Sequence, residues 1–196
     1  MQLRTLALAS SALTVALALA GCSSNSNETS PRSDSSLTST SSTAASYSDP
    51  DIAFATQMIP HHQQAVEMAD LVLAKTGVDS RVTELATKIK AAQDPEIVTM
   101  TAMLKAWGQP APVSMQGMAM NGLMSPADMD ALKNASGPDS SKLFLQQMVQ
   151  HHQGAIDMAN EELNTGKNTD AMALAAKIVT DQTAEITTMN ILLKSF

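Results

Sequence analysis

Two pairs of adjacent histidines dominate any chemical reading of this 196-residue chain, and they are the only histidines it has: His61-His62 and His151-His152. Each pair has a methionine three residues before its first member and six after its second, Met58 and Met68 in one case, Met148 and Met158 in the other. Imidazole nitrogen with thioether sulfur and no neighbouring thiolate is a soft donor set. It favours Cu(I), Ag(I) or Cu(II) over hard cations. The expected arrangement has His61 or His62 holding such an ion with Met58 and Met68, and His151 or His152 with Met148 and Met158, in one shared site or two. Zinc through the histidines stays open but leaves the methionines unexplained. A di-iron carboxylate centre is disfavoured, because it needs Glu-x-x-His and here Met58 and Met148 hold the glutamate's place. A purely structural reading also stands, with buried histidines satisfied by carboxylates and methionine as packing filler.

The elements that must position these residues come as a repeat. Phe54, Met58, His61, His62, Ala65, Met68 and Ala69 recur 90 residues later as Phe144, Met148, His151, His152, Ala155, Met158 and Ala159. After a one-residue slip, Ile89, Gln93, Glu96, Ile97 and Met100 match Ile178, Gln182, Glu185, Ile186 and Met189. At about 100° per residue, the first set lies within about 80° of Met58, on one helical stripe that must face a core. Glu67 and Asp157 fall on the opposite side. On the following helix Val82, Ile89, Gln93, Glu96, Leu104 and Trp107 lie within about 40° of Met100. Gln93 and Glu96 thus interrupt an apolar face, as Gln182 and Glu185 do in the second copy. A buried carboxylate needs a partner, and the histidines are the available ones. These residues, with Met100 and Met189, are expected to orient the histidine rings from behind.

Each copy therefore reads as a helical hairpin. Asp49-Pro50 supplies a cap and an early proline, Asp139 begins the equivalent helix, and Thr76-Gly77 and Thr165-Gly166 are stops whose glycines are free to take positive φ. The second helices are expected from about Ser80 to Trp107 and Thr169 to Ser195. Pro60 is placed to bend the first helix, a bend the second copy lacks because Gln150 replaces it. The expectation is an all-α, four-helix bundle over 49–196: repeat one 49–107, a Met-rich linker 108–137 and repeat two 138–196. Within the linker, Ser125-Pro126-Ala127-Asp128 predicts a short capped helix ending near Asn134. Met115, Met118, Met120 and Met124 are candidates for an accessory thioether site; the alternative is that they cover the bundle end as apolar plugs.

Before the bundle, Met1 to Arg4 is short and basic, Leu6 to Ala20 is almost wholly apolar, and Leu19-Ala20-Gly21-Cys22 has the form of a lipobox. An apolar run of about 15 residues suits a signal peptide better than a membrane span. Residues 1–21 are read as a lipoprotein signal peptide and Cys22, the sole cysteine, as the lipidated residue. Residues 22–48, rich in Ser and Thr, are read as a disordered tether holding the domain about 25–30 Å from the membrane. Loss of Arg4 with the leader takes the formal charge from −7 to −8. That balance argues against nucleic acid as a partner. Fourteen methionines against five aromatic residues repeat the thioether emphasis.

At its repeated Met-x-x-His-His-x-x-Ala-x-x-Met motif and the later Gln-x-x-Glu-Ile-x-x-Met pattern, the sequence resembles the domain of unknown function 305 family over about Asp51 to Phe196. The resemblance implies a ferritin-like fold of two helical hairpins, with His61, His62, His151 and His152 as the functional residues, and periplasmic copper or silver handling. The resulting expectation is an extracytoplasmic, lipid-anchored bacterial protein that binds or buffers copper or silver ions. The rivals are a metal-dependent oxidoreductase on the same histidines and a metal-free interaction module. No nucleophile–base set or nucleotide loop points to an enzyme.

Overall fold

The apolar stripes, interrupted at the same level on every helix, fold into a helical bundle. The computed structural model of the chain describes residues 46–110, 112 and 121–196. The leader, Cys22, most of the tether, and Met115, Met118 and Met120 lie outside the described residues. Five helices are present: α1 (Asp49–Leu73), α2 (Ser80–Ala106), α3 (Pro126–Asn134), α4 (Gly137–Thr165) and α5 (Thr169–Leu193), with no strand among the described residues. α1 pairs with α2 and α4 with α5 as hairpins, and the hairpins meet chiefly through α1 on α4. α2 and α5 touch far less, and the short α3 lies on α1 and α4. Among the described residues no helix is long and apolar enough to cross a membrane.

The expected boundaries need small corrections. Ser48, not Asp49, is the cap of α1, and its N–H is accepted by the Asp51 carboxylate at 2.6 Å. α4 starts at Gly137 behind Ser136, ahead of the expected Asp139. In both places the earlier serine has the extended backbone a cap requires, while the aspartate sits inside the first turn, where its charge suits the helix dipole. α2 and α5 end at Ala106 and Leu193, slightly short of the expected ends. α3 is as read from sequence, with Ser125 and Asp128 in a reciprocal capping box. α1 continues through Pro60. Gly77 takes the expected positive φ of 76°, but Gly166 does not, at φ −65°. Gly166 is needed for room instead: a side chain there would overlap the Glu162 carboxyl group.

Two apolar clusters fill the interior. One contains Ala65, Met68, Val72, Val82, Leu85, Ile89, Phe144, Leu145, Met148 and Met189. The other contains Phe54, Met58, Ile59, Met100, Leu104, Trp107, Ala155, Ala171 and Ile178. Along every long helix the two histidines, or the Gln and Glu, fall between the residues of one cluster and those of the other. The core is thus cut across its middle by a polar layer of eight side chains, two from each helix. Burying a large apolar side chain stabilises by about 1.5–3 kcal/mol. Two clusters of this size are what make so polar a middle tolerable.

The hairpins also clasp each other at their ends. The Asp51 carboxylate on α1 accepts the backbone N–H of Lys167 at 3.0 Å and of Asn168 at 2.7 Å, in the turn of the second hairpin. At the equivalent place on α4, Ser141 Oγ accepts the N–H of Asp79, in the turn of the first, at 3.0 Å. Each first helix therefore satisfies donors that the other hairpin cannot satisfy itself.

Candidate functional site

All four histidines are fully buried in the polar layer. His61 and His151 face each other across the α1–α4 seam, with ring centroids 3.8 Å apart and planes 42° from parallel. His62 and His152 point the other way, each toward the second helix of its own hairpin. His62 Nε2 is 2.8 Å from Glu96, and His152 Nε2 is 2.7 Å from Glu185. The expected pairing of histidine with core glutamate is thus present in both copies. Gln93 and Gln182 are buried in the layer as well, yet neither Gln93 amide atom has a hydrogen-bond partner and Gln182 Oε1 has none.

The two halves differ in one respect that the repeat does not announce. Lys177 on α5 reaches across to Glu96 at 2.9 Å and also bonds Asp181 at 2.7 Å. Those bonds, to Asp181 first and then Glu96, hold its ammonium above the ordinary value. Burial alone would raise the Glu96 carboxyl, but the bonds from His62 and Lys177 more than offset this and leave it lowered. Glu96 is therefore an anion that can only accept.

Desolvation keeps His61, His62 and His151 neutral. It pushes His61 down to about 3, helped by the neighbouring His62 and His152 and only partly opposed by the backbone carbonyl of Asn121, which faces the ring. His151 falls well below the ordinary value for the same primary reason, with His61 next. His62 is lowered by burial despite the opposing pull of Glu96. Neutral imidazoles carry lone pairs, and here six ring nitrogens are unpaired: both on His61, both on His151, and Nδ1 on His62 and His152. Leaving a buried polar group unsatisfied costs about 1–3 kcal/mol. Such a concentration in one layer is uncommon in folded proteins.

Thioethers lie on both sides of the layer. Met58 and Met100 belong to one apolar cluster; Met68, Met148 and Met189 belong to the other, all fully buried. Met158 is only partly buried, so the two outer methionines of the motif are not equivalent. Among the described residues no three His, Cys, Asp or Glu side chains converge on one point. The layer presents imidazole nitrogens, with methionines in the apolar clusters on either side. Met124 is buried against the first cluster and held through its backbone, so it serves here as packing and not as an exposed thioether.

Three features escaped the sequence reading. Lys177 lies off the buried stripe of α5, well around the helix from Gln182 and Glu185, so only the fold brings it to Glu96. Gln64 and Gly154 were visible as a difference between otherwise matching repeats. Glu162 was not foreseeable: it is nearly fully buried at the bundle end, and burial followed by contact with Asp51 raises its carboxyl to about 8.

Comparison with known proteins agrees with this architecture. The sequence model of the family described as Domain of unknown function (DUF305) matches residues 51–193. A DUF305 fragment from Deinococcus radiodurans is 32% identical, with a TM-score of 0.69 over 76% of this chain and 98% of that one. A DUF305 protein from Streptomyces coelicolor, designated as secreted, is 33% identical, with a TM-score of 0.69 over 74% and 93%. CopM in its Cu(I)-bound form is 30% identical, with a TM-score of 0.63 over 74% and 96%. CopM is also known in Cu(II)-bound and Ag-bound forms. No curated protein matches the chain significantly.

Proposed function

The chain belongs to the DUF305 family, and from that premise we propose that it binds and buffers copper or silver ions outside the cytoplasm through the histidine layer. The observation that carries the reading is the set of six unpaired ring nitrogens on four buried histidines, with buried methionines in the clusters on both sides. A soft monovalent ion is the ligand that chemistry suits: it accepts few ligands, tolerates an apolar surround and prefers imidazole and thioether to carboxylate. His61, His62, His151 and His152 are the proposed nitrogen donors, with sulfur from Met58, Met68, Met148 and, less buried, Met158. Glu96 and Glu185 orient His62 and His152 and fix which nitrogen carries the proton. The ion is cargo here, and helix formation does not depend on it, because the two apolar clusters stand on either side of the layer.

Similarity to CopM, whose structures hold Cu(I), Cu(II) and silver, supports the choice of ion. The leader reading with Cys22, together with the Streptomyces relative designated as secreted, supports placement outside the cytoplasm on a lipid anchor.

Competitive titration of the apoprotein against a Cu(I) chelator of known affinity tests this. Wild type is expected to hold Cu(I) or Ag(I) far more tightly than Mg²⁺ or Ca²⁺. Replacing all four histidines with alanine should remove most of that affinity while circular dichroism still reports helix. Equal affinity in the two proteins would overturn the assignment and favour a metal-free module whose His-Glu pairs serve the fold alone.

A further inference from the structure

An ion cannot reach four fully buried histidines unless something over them moves, and one short segment lies there. Residues 121–124, immediately before the α3 cap, cross the α1–α4 seam at the level of the histidine layer. On the α4 side, Gly122 has φ 82°, and a Cβ on it would stand 2.8 Å from Gly154 Cα and 2.9 Å from the His151 carbonyl oxygen. A Cβ on Gly154 would overlap the Asn121 carbonyl oxygen. Two glycines are what let this strap lie directly on the helix one turn from His151. On the α1 side a single glutamine holds it by both backbone polar groups of one residue. Gln64 Oε1 accepts the Met124 N–H at 2.7 Å, and Gln64 Nε2 donates to the Met124 carbonyl at 2.9 Å.

Gln64 and Gly154 occupy the same position of the repeat, 90 residues apart. Around them both copies read His-His-Gln, then this residue, then Ala. The repeats diverge where a segment that is not itself repeated has to cross the pseudo-twofold axis. One copy supplies the clamp and the other supplies the space.

We propose that the Asn121–Met124 strap is the access gate of the histidine layer, and that Gln64 and Gly154 set how readily it opens to a soft metal ion. The proposal rests on the metal-binding reading for its cargo, but not for the gate's effect on the histidines. Loss of two hydrogen bonds of ordinary net strength corresponds to about tenfold or more in the open population. Opening changes passage in both directions, so rates should move much more than equilibrium affinity.

Two readouts on the whole folded domain separate gate from cargo. The first is the rate at which diethyl pyrocarbonate acylates the histidines, which needs only access to a neutral ring. The second is the stopped-flow rate of Ag(I) uptake. Gln64→Ala and Gly154→Ala, which loosen opposite ends of the strap, are each expected to raise both rates about tenfold or more. Gln153→Ala, on the exposed side of α4, is expected to change neither. If acylation accelerates in either strap variant while Ag(I) binds to none of the proteins, the gate stands and the metal reading falls. If Ag(I) binds with unaltered uptake and acylation rates in both strap variants, the gate is wrong. Should Gly154→Ala not fold, Gln64→Ala alone decides.

Discussion

A neutral histidine gives a proton from one nitrogen and offers a lone pair from the other, so the partner of the first decides which is the donor to an ion. At His62 that partner is Glu96, a carboxylate that can only accept, which places the proton on Nε2 and leaves the buried, unpaired Nδ1 as the free lone pair. His152 has the same geometry, with Nε2 against Glu185 and Nδ1 unpaired. His61 and His151 have no such partner, and their orientation rests on each other's ring. Substituting Glu96→Gln or Glu185→Gln lets an amide N–H face Nε2 and releases the tautomer. Each is expected to lower Cu(I) affinity about 10–100-fold, as loss of such a supporting group usually does, with helix content unchanged. Unchanged affinity in both, alongside loss in the four-histidine variant, would show that the carboxylates only satisfy the rings.

What the sequence made legible at the scale of elements was whatever is written locally. The stripe carrying Met58, His61, His62 and Met68 could be read because residues three and four apart share a helix face. The Gln93 and Glu96 interruption stood out against apolar neighbours for the same reason. Helix starts were displaced by one to three residues, since Ser48-Asp49-Pro50 and Ser136-Gly137-Pro138-Asp139 each offer more than one capping oxygen. The junction of Asp51 and Glu162 was invisible, because only the fold brings those carboxyls together. Asp51, although burial opposes it, is lowered to about 2 by bonds from Ser48 and Asn168, while Glu162 beside it is raised to about 8. Glu162 thus keeps its proton beside the Asp51 anion. A group whose folded value is raised stabilises most below its unfolded value, here near 4.5, and that stabilisation fades as pH rises through about 8. His61 and His151 act in the opposite sense, losing stability as pH falls below about 6.5. Glu162→Gln cannot ionise. Its denaturation midpoint relative to wild type should therefore climb between pH 5 and pH 9, and parallel curves would remove the raised Glu162 carboxyl from the account.

At the scale of the whole molecule, the bundle is one unit made of two halves that complete each other, and the remaining question is what holds it in place. Cys22 is the proposed anchor, and among the described residues no helix is long and apolar enough to cross a membrane. Cys22→Ala is expected to shift the protein from the membrane fraction to the soluble one, or to leave the leader uncleaved. Mature-sized protein that stays in the membrane fraction would refute the anchor. The junction between tether and bundle has a mechanical consequence. Tyr47 stacks on Trp107 at 5.3 Å and bonds its carbonyl, which ties the incoming chain to the first hairpin. One residue on, Ser48 is bonded to the Asp51 carboxylate that grips the Lys167 and Asn168 N–H groups of the second hairpin. A pull along the tether is consequently shared by both hairpins from its first ångström.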